Sequence, residues 1–158
     1  MLMEVNPGMV FSSLIKILLV RRSRKKSQRD IPVERVAGEN FIVREPGSGT
    51  RLAMQQYFDE FGLACNVGME MASNETIKQA VMAGMGLSFI SRHTLDLELL
   101  THRLVILDVR GMPVIRLWHV AHLAKKRLSP TAVAFKEFVL AHGRDLLRAQ
   151  DASGARGS

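Results

Sequence analysis

Short apolar runs alternate with helix-like segments between Phe41 and Ser91, and this alternation restricts the fold more than any other feature of the chain. Three runs, at residues 41–43, 67–71 and 87–91, have the length and apolar content of buried strands. The third run is almost continuously apolar, which is typical of a parallel strand covered on both faces. The β-α-β-α-β order therefore predicts an open α/β sheet with right-handed crossovers between its strands.

Capping residues and apolar spacing define the two helices between these strands. Ser48, or Thr50 if the start is later, is a suitable N-cap for the first helix, and Gly62 ends it. Ser73 begins the second helix, which ends at Gly84. The residues expected to face the core are Leu52, Tyr57, Phe58 and Phe61 in the first helix and Ile77, Ala80, Val81 and Gly84 in the second.

Two further strands and a long helix are predicted after residue 100. Residues 104–107 form one apolar run, and residues 114–123 form a longer one that is interrupted by Arg116, Trp118 and His122. Ten residues of strand extend roughly 33 Å, so the longer strand is expected to leave its sheet and lead to a neighbouring structure. Ser129 and Pro130 have the residue types of an N-cap and a first helical position. The apolar stripe of this helix comprises Val133, Phe135, Phe138, Val139 and Leu146, and residues 151–158 are expected to form a flexible tail.

Residues 1–30 form an atypical segment in which an apolar run, residues 9–20, precedes a basic cluster, residues 21–26. A membrane-spanning helix needs roughly 20 apolar residues, and this run is shorter and contains Lys16. A secretory signal has its positive charges before the apolar run, which is the opposite order. The sequence favours a core or edge strand followed by a solvated basic linker. A membrane or export role and a phosphate-contacting basic arm remain as alternatives.

Charge and cysteine content limit the possible partners and compartment. The formal net charge is +7, and residues 1–40 hold eight Lys/Arg against four Asp/Glu, so over half of the excess lies there. The remaining excess is too small for a nucleic-acid interface that neutralises many phosphates. A single cysteine, Cys65, excludes an internal disulfide and a clustered zinc site. Lack of cysteine pairing fits a reducing compartment, so the cytoplasm is the expected location.

Polar residues at the two predicted helix starts form the candidate binding site. Strands of an open α/β sheet bind ligands beyond their carboxyl ends. A helix N-terminus offers unpaired N–H groups and a positive dipole end, which favour carboxylates and phosphates. The expected side-chain donors are Ser48, Thr50, Ser73 and Asn74. The alternative is that all four only cap helices or shape turns.

Catalytic and cofactor motifs are not recognisable in the sequence. The segment Gly47-Ser48-Gly49 lacks the third glycine of a dinucleotide fingerprint, and no glycine loop continues as a P-loop. Ser48 also lacks the two second-neighbour glycines of a nucleophile elbow, because Pro46 and Thr50 occupy those positions. The five histidines show no metal motif, and Cys65 has no nearby His or Lys to activate it. We therefore expect no catalytic residue, no metal site and no cofactor.

Three motifs, in this order along the chain, resemble the effector-binding domain of LysR-type transcriptional regulators. They are the segments FIVREPGSGTR at 41–51, SNETIKQAV at 73–81 and GMGLSFI at 84–90. A late Leu128-Ser129-Pro130 before the last helix also matches, and the resemblance covers about residues 31–142. In detail the chain most resembles regulators of RuBisCO and Calvin-cycle operons.

The resemblance implies a periplasmic-binding-protein type 2-like α/β lobe, the second regulatory lobe of an effector domain, with a C-terminal crossover strand and helix. It assigns residues 31–150 to this partial domain. It also implies that a small anionic metabolite, such as a sugar phosphate or a nicotinamide nucleotide, binds at the helix starts. The implied effector-binding residues are Gly47, Ser48, Gly49, Thr50, Arg51, Ser73 and Asn74.

Family members carry a winged helix-turn-helix and a first lobe before this segment, and residues 1–30 do not resemble the segment that normally precedes it. The expectation is a truncated chain that senses an effector without catalysis and does not bind DNA alone. In the full-length parent a homo-oligomer is expected, and no membrane association. The alternative hypothesis is a non-catalytic interaction fragment that associates with regulator subunits through an exposed lobe surface.

Overall fold

A computed structural model describes residues 11–23, 29–120 and 127–154. Six strands and five α-helices follow one another along these residues, with a 3₁₀ turn at Arg92–Thr94. The strands are β1 (Phe11–Arg22), β2 (Asn40–Arg44), β3 (Asn66–Met71), β4 (Ser88–Ser91), β5 (Leu104–Ile106) and β6 (Val114–Val120). The helices are α1 (Val33–Ala37), α2 (Gly49–Glu60), α3 (Asn74–Met82), α4 (Asp96–Leu100) and α5 (Pro130–Gly154).

The chain divides into two compact units. One unit comprises residues 16–116 and contains β2 to β5 and α1 to α4. The other comprises residues 1–15 and 117–158 and contains α5. In the described part of the chain, no helix is long and apolar enough to cross a membrane.

The predicted parallel arrangement is present at β2, β3 and the residue before β4. β2 pairs with β3 in parallel, from Asn40 opposite Asn66 to Arg44 opposite Met71, with an irregularity after Phe41. Leu87 forms a parallel bridge with Phe41. Its carbonyl accepts from the N–H of Ile42 at 2.8 Å, and its N–H donates to the carbonyl of Asn40 at 2.9 Å. The α/β fold class predicted from the alternating pattern is therefore confirmed.

A central antiparallel strand, β1, is present in addition to the parallel strands that were expected. It lies between β4 and β5 and is antiparallel to both, with Val20 opposite Ser88 on one side and Ile106 on the other. β6 also pairs with β1. Of the alternatives for the N-terminal apolar run, the core strand is the one observed, because Ile17 to Val20 are all buried.

Helices cover both faces of the strands, so successive residues of a strand enter two different cores. One core contains Ile17, Leu19, Phe41 and Phe89 packed with Met54 and Phe58 of α2. The other contains Leu18, Val20, Ile42 and Ile90 packed with Ile77 and Val81 of α3. Full burial of an apolar side chain contributes about 1.5–3 kcal/mol, so these two layers supply most of the driving force for this unit.

The predicted core faces of the two helices are only partly correct. α2 buries Ala53, Met54, Tyr57 and Phe58. Leu52 is 47% exposed because it lies on the opposite side of the helix from this face, and Phe61 is 36% exposed because it follows the last helical turn. α3 buries Ile77, Ala80 and Val81 as expected, whereas Gly84 is exposed in the turn after the helix, with φ +84°.

A buried ion pair connects α3 to α4. The Lys78 ammonium lies 2.8 Å from Oε1 of Glu98, and these residues are only 8% and 6% exposed. Lys78 also contacts the exposed Glu75 at 2.8 Å and donates to the carbonyl of Thr94 at 3.1 Å. Burial alone lowers the pKa of Lys78, but its hydrogen bonds to the two carboxylates raise that pKa above its ordinary value.

The C-terminal helix begins as predicted. Ser129 Oγ accepts a hydrogen bond of 3.3 Å from the backbone N–H of Ala132, and Pro130 is the first helical residue. α5 continues to Gly154, so residues 151–154 of the expected tail are helical. Residues 121–123 of the predicted long strand, residues 24–28 of the basic segment and residues 155–158 lie outside the described residues.

Candidate functional site

The two predicted helix starts lie beside each other. β2 and β3 are parallel neighbours, and their last residues, Arg44 and Met71, are opposite each other in the register. The loops that follow these residues lead into α2 and α3, so both helices begin at the same edge of the sheet. We call the predicted site residues at this edge, 47–51 with 73 and 74, the rim.

The start of α2 has no side-chain cap. Ser48 is the N-cap residue in an extended conformation, and its hydroxyl makes no capping hydrogen bond. Gly47 before it adopts φ +89°, a conformation that glycine tolerates better than other residues. Gly49 and Thr50 begin the first turn, whose N–H groups have no partner within a helix. These N–H groups and the Ser48 hydroxyl are therefore available to an anion.

The start of α3 is already satisfied by its own residues. Ser73 Oγ accepts from the N–H of Glu75 at 3.2 Å, and the Thr76 hydroxyl donates to the Ser73 carbonyl at 2.9 Å. Asn74 Oδ1 accepts from the Arg44 guanidinium at 2.9 Å. Ser73 and Asn74 thus act as caps and connectors, and each retains a donor group, the hydroxyl hydrogen and the side-chain amide N–H₂.

Arg44 connects the two loops of the rim. Its guanidinium forms two hydrogen bonds with the Glu45 carboxylate, of 2.7 and 2.8 Å, in addition to the bond to Asn74. The hydrogen bond to Glu45 raises the pKa of Arg44, and the same bond lowers the pKa of Glu45. The bidentate contact lies within the loop after β2, and the single charge-assisted bond from Arg44 to Asn74 holds that loop against α3.

Two further arginines lie beside the start of α2. Arg51 Nη1 is 3.4 Å from the carbonyl of Arg44 and 3.8 Å from the Glu70 carboxylate. The Arg51 Nε is buried and has no hydrogen-bond partner among the described residues. Arg116, from β6, donates to the carbonyl of Gly49. Three guanidinium groups near the rim face two carboxylates, so the local charge favours an anion.

Arg44 and Arg116 were not among the residues that the sequence predicted for the site. Arg44 is part of the quoted loop motif, and its position at the end of a buried strand was the available indication. Arg116 interrupts an otherwise apolar strand, and such a charged residue needs a polar partner nearby. The pattern does not indicate that this partner is Gly49, because 67 residues separate the two.

Metal and thiol chemistry find no support in the described part of the chain. No group of three or more His, Cys, Asp or Glu side chains is placed to hold a metal ion within those residues. Burial raises the pKa of the Cys65 thiol, so its environment does not favour the reactive thiolate. His122 lies outside the described residues.

The LysR substrate binding domain family matches residues 17–144 of the chain. This chain belongs to that family. The match begins within β1, before the region of about residues 31–142 in which the motifs show the resemblance.

Curated relatives include regulators of RuBisCO operons and are longer than this chain. The RuBisCO operon transcriptional regulator of Allochromatium vinosum is 53% identical over 113 residues, which are 72% of this chain and 37% of that protein. The HTH-type transcriptional regulator CbbR of Rhodospirillum rubrum is 46% identical over 128 residues, 81% of this chain and 43% of that protein. The chain thus spans about two fifths of these relatives, and the predicted likeness to RuBisCO-operon regulators is confirmed.

Solved LysR regulatory domains have the same fold. The CcmR regulatory domain of Synechocystis PCC6803, solved in complex with 2-PG, is 37% identical with a TM-score of 0.74, over 87% of this chain and 67% of that one. The effector binding domain of QuiR, in complex with shikimate, has a TM-score of 0.70 over the same shares at 19% identity. The predicted fold, a lobe of a LysR-type effector domain, is confirmed by these similarities.

Proposed function

We propose that this chain is the effector-sensing part of a LysR-type regulator of carbon-fixation genes and that it binds a small anionic metabolite at the rim. The observation that carries this proposal is the uncapped start of α2, which lies beside Arg51 and Arg116. The names of the curated relatives support the target genes. The protein acts in the cytoplasm without catalysis, and contact with DNA belongs to a helix-turn-helix of the kind that the names of the relatives print.

The chemistry of the rim selects a carboxylate or phosphate group. Backbone N–H groups at a helix start bind anions with the help of the helix dipole, and guanidinium groups match the geometry of anionic oxygens. The first compound to test is 2-PG, which the similar CcmR domain binds in its solved structure, followed by sugar phosphates, NADPH and ATP.

An NMR titration of the 158-residue chain with 2-PG tests this function. We expect saturable shifts of the amide signals of Gly47, Gly49 and Thr50, because their N–H groups lie at the binding edge. The Thr50→Ala variant should bind about tenfold more weakly, since it loses one hydrogen bond to a charged group. Thr131→Ala is the matched control, because Thr131 occupies the same second helical position in α5.

Three results would contradict the proposal. Equal affinities of Thr50→Ala and the parent chain for 2-PG would show that the anion does not bind at the rim. Failure of every anion tested to produce saturable shifts would remove the ligand-binding function itself. Turnover of a sugar phosphate by the purified chain would replace the non-catalytic function with an enzymatic one.

A second candidate function, association with regulator subunits, is supported by α5. Its apolar residues Phe135, Phe138 and Leu146 are 61%, 52% and 56% exposed and recur at helical spacing on one face. The Phe138 ring contacts the His142 ring on this face, with 5.1 Å between centroids. Exposed apolar surface of this kind promotes association between chains.

The Phe135→Glu, Phe138→Glu double variant is expected to shift the chain from a dimer or larger species to a monomer in light scattering after size exclusion. Burying two carboxylates at an apolar contact is unfavourable, so association should weaken by at least about 100-fold. Leu140→Glu is the control, because Leu140 is 48% exposed on the other side of α5. A monomeric parent chain at all concentrations would contradict this candidate.

A further inference from the structure

A second pocket lies at the opposite end of β2 from the rim. It has a volume of about 350 Å³, and its polar lining consists of Arg21, Arg22, Arg35 and Glu39. We call it the basic pocket. Glu39 immediately precedes β2 and Glu45 immediately follows it, so the six residue steps between them separate the two regions by roughly 20 Å. The basic pocket is therefore distinct from the predicted effector site.

The topology of β1 brings the arginines of the basic pocket together. β1 is antiparallel to β4, with Val20 opposite Ser88, so Arg21 and Arg22 continue past the beginning of β4. Arg35 comes from α1, and the turn between α3 and β4 contributes Gly84 and Gly86. The floor is apolar.

Two glycines of the turn between α3 and β4, Gly84 and Gly86, line the basic pocket with backbone alone. Gly84 has φ +84°, and Arg22 Nη1 lies 3.5 Å from the position that a Cβ would occupy there. A Cβ on Gly86 would lie 2.4 Å from the carbonyl oxygen of Asn40, so the close approach of the turn to β2 requires glycine. The Arg22 side chain therefore lies against the glycine turn.

Positive residues outnumber negative ones in the lining of the basic pocket. Arg22 and Arg35 are exposed, and within the described residues no ion pair joins either to a carboxylate. Arg21 also lines the pocket and donates to the Arg22 carbonyl at 3.1 Å. Glu39 and the negative dipole end of α3 offset only part of the charge of Arg22 and Arg35. The sign of the pocket is therefore opposite to that of a phosphate monoester at neutral pH.

We propose that the basic pocket is a second anion site, which binds a small phosphate monoester between Arg22 and Arg35. Guanidinium groups bind phosphate oxygens through paired hydrogen bonds, and a cavity of this size is within the range of small-molecule sites. The Glu39 carboxylate accepts a hydrogen bond from a hydroxyl group of the ligand. The apolar floor contacts its carbon atoms.

The test is an NMR titration of the 158-residue chain with glycerol 3-phosphate at constant ionic strength, with glycerol as the uncharged comparison. We expect saturable shifts of the Gly84 and Gly86 amide signals with glycerol 3-phosphate and none with glycerol. Arg35→Gln and Arg22→Gln should each raise the Kd obtained from these shifts about tenfold, because each removes a charge-assisted contact. Arg110→Gln is the matched control, since Arg110 is an exposed arginine of the same unit that does not line the pocket.

Different outcomes separate this site from the rim. Shifts confined to Gly47 and Gly49 would overturn the second site and support the effector site. Shifts at Gly84 and Gly86 that survive in Thr50→Ala and weaken in Arg35→Gln would establish the second site, even if the rim bound nothing. Equal affinity of the parent chain and both arginine variants would overturn the proposal, because the guanidinium groups would then not hold the ligand.

Discussion

The Ser48→Asp variant is expected to bind 2-PG at least about 100-fold more weakly than the parent chain, because like charges placed together cost several kcal/mol. The new carboxylate would lie at the uncapped start of α2, where the anion is proposed to bind. Aspartate is also a good N-cap, and Ser48 makes no capping bond. The free energy of unfolding should therefore stay equal or rise by about 0.5–1 kcal/mol.

This opposite change in affinity and stability distinguishes a binding role from a structural one. A residue that only shapes the loop would weaken binding by destabilising the fold. The measurements are an NMR titration with 2-PG and urea unfolding followed by circular dichroism. Ser129→Asp is the matched control, because it makes the same change at the N-cap of α5. Affinity within about threefold of the parent would contradict a site at the start of α2.

The Lys78→Met variant is expected to lower the free energy of unfolding by about 3–5 kcal/mol, because it leaves a buried carboxylate without its partner. Glu98 is 6% exposed, its Oε1 contacts Lys78, and its Oε2 has no hydrogen-bond partner in the described part of the chain. Glu75→Gln removes only the exposed partner of Lys78 and should leave the free energy of unfolding nearly unchanged, because exposed ion pairs contribute little. Urea unfolding at pH 7 measures both changes.

A double variant and a pH series test the cause. Lys78→Met with Glu98→Leu should recover most of the lost stability, since apolar residues of similar size can replace a buried pair. The pKa of Lys78 is raised in the folded chain, so its stabilising contribution is complete below the ordinary value of 10.5 and is lost as pH rises through the raised pKa. A Lys78→Met variant within about 1 kcal/mol of the parent chain would contradict this account.

Local patterns predicted the parallel half of the fold because its elements are encoded within short segments. β2, β3, α3 and the start of α5 were each predicted to within a few residues by apolar spacing and by the caps Ser73 and Ser129. The role of β1 could not be read in this way. Its partners, β4 and β5, are distant in sequence, and an apolar run contains no information about which strands it joins.

The rim was predicted in location but not in detail. Gly47, Ser48, Gly49 and Thr50 lie at the start of α2 as expected, but the sequence treated both helix starts as equivalent. The structure distinguishes them, because Ser73 caps α3 and Ser48 leaves α2 uncapped. Which helix start is capped depends on the side-chain rotamers of Ser48 and Ser73. Arg44 and Arg116 reach the two helix starts through tertiary contacts that no local motif specifies.

The central position of β1 has a consequence for synthesis of the chain on the ribosome. β1 is made before its partners, because the residues that pair with it, Ser88 to Ser91 and Leu104 to Ile106, follow about 70 to 85 residues later. At about 5–20 residues per second, several seconds pass before both partners have been added. Throughout that interval the apolar segment Ile17 to Val20 has no partner strand from β4 or β5, so its side chains lack the burial that they have in the folded chain.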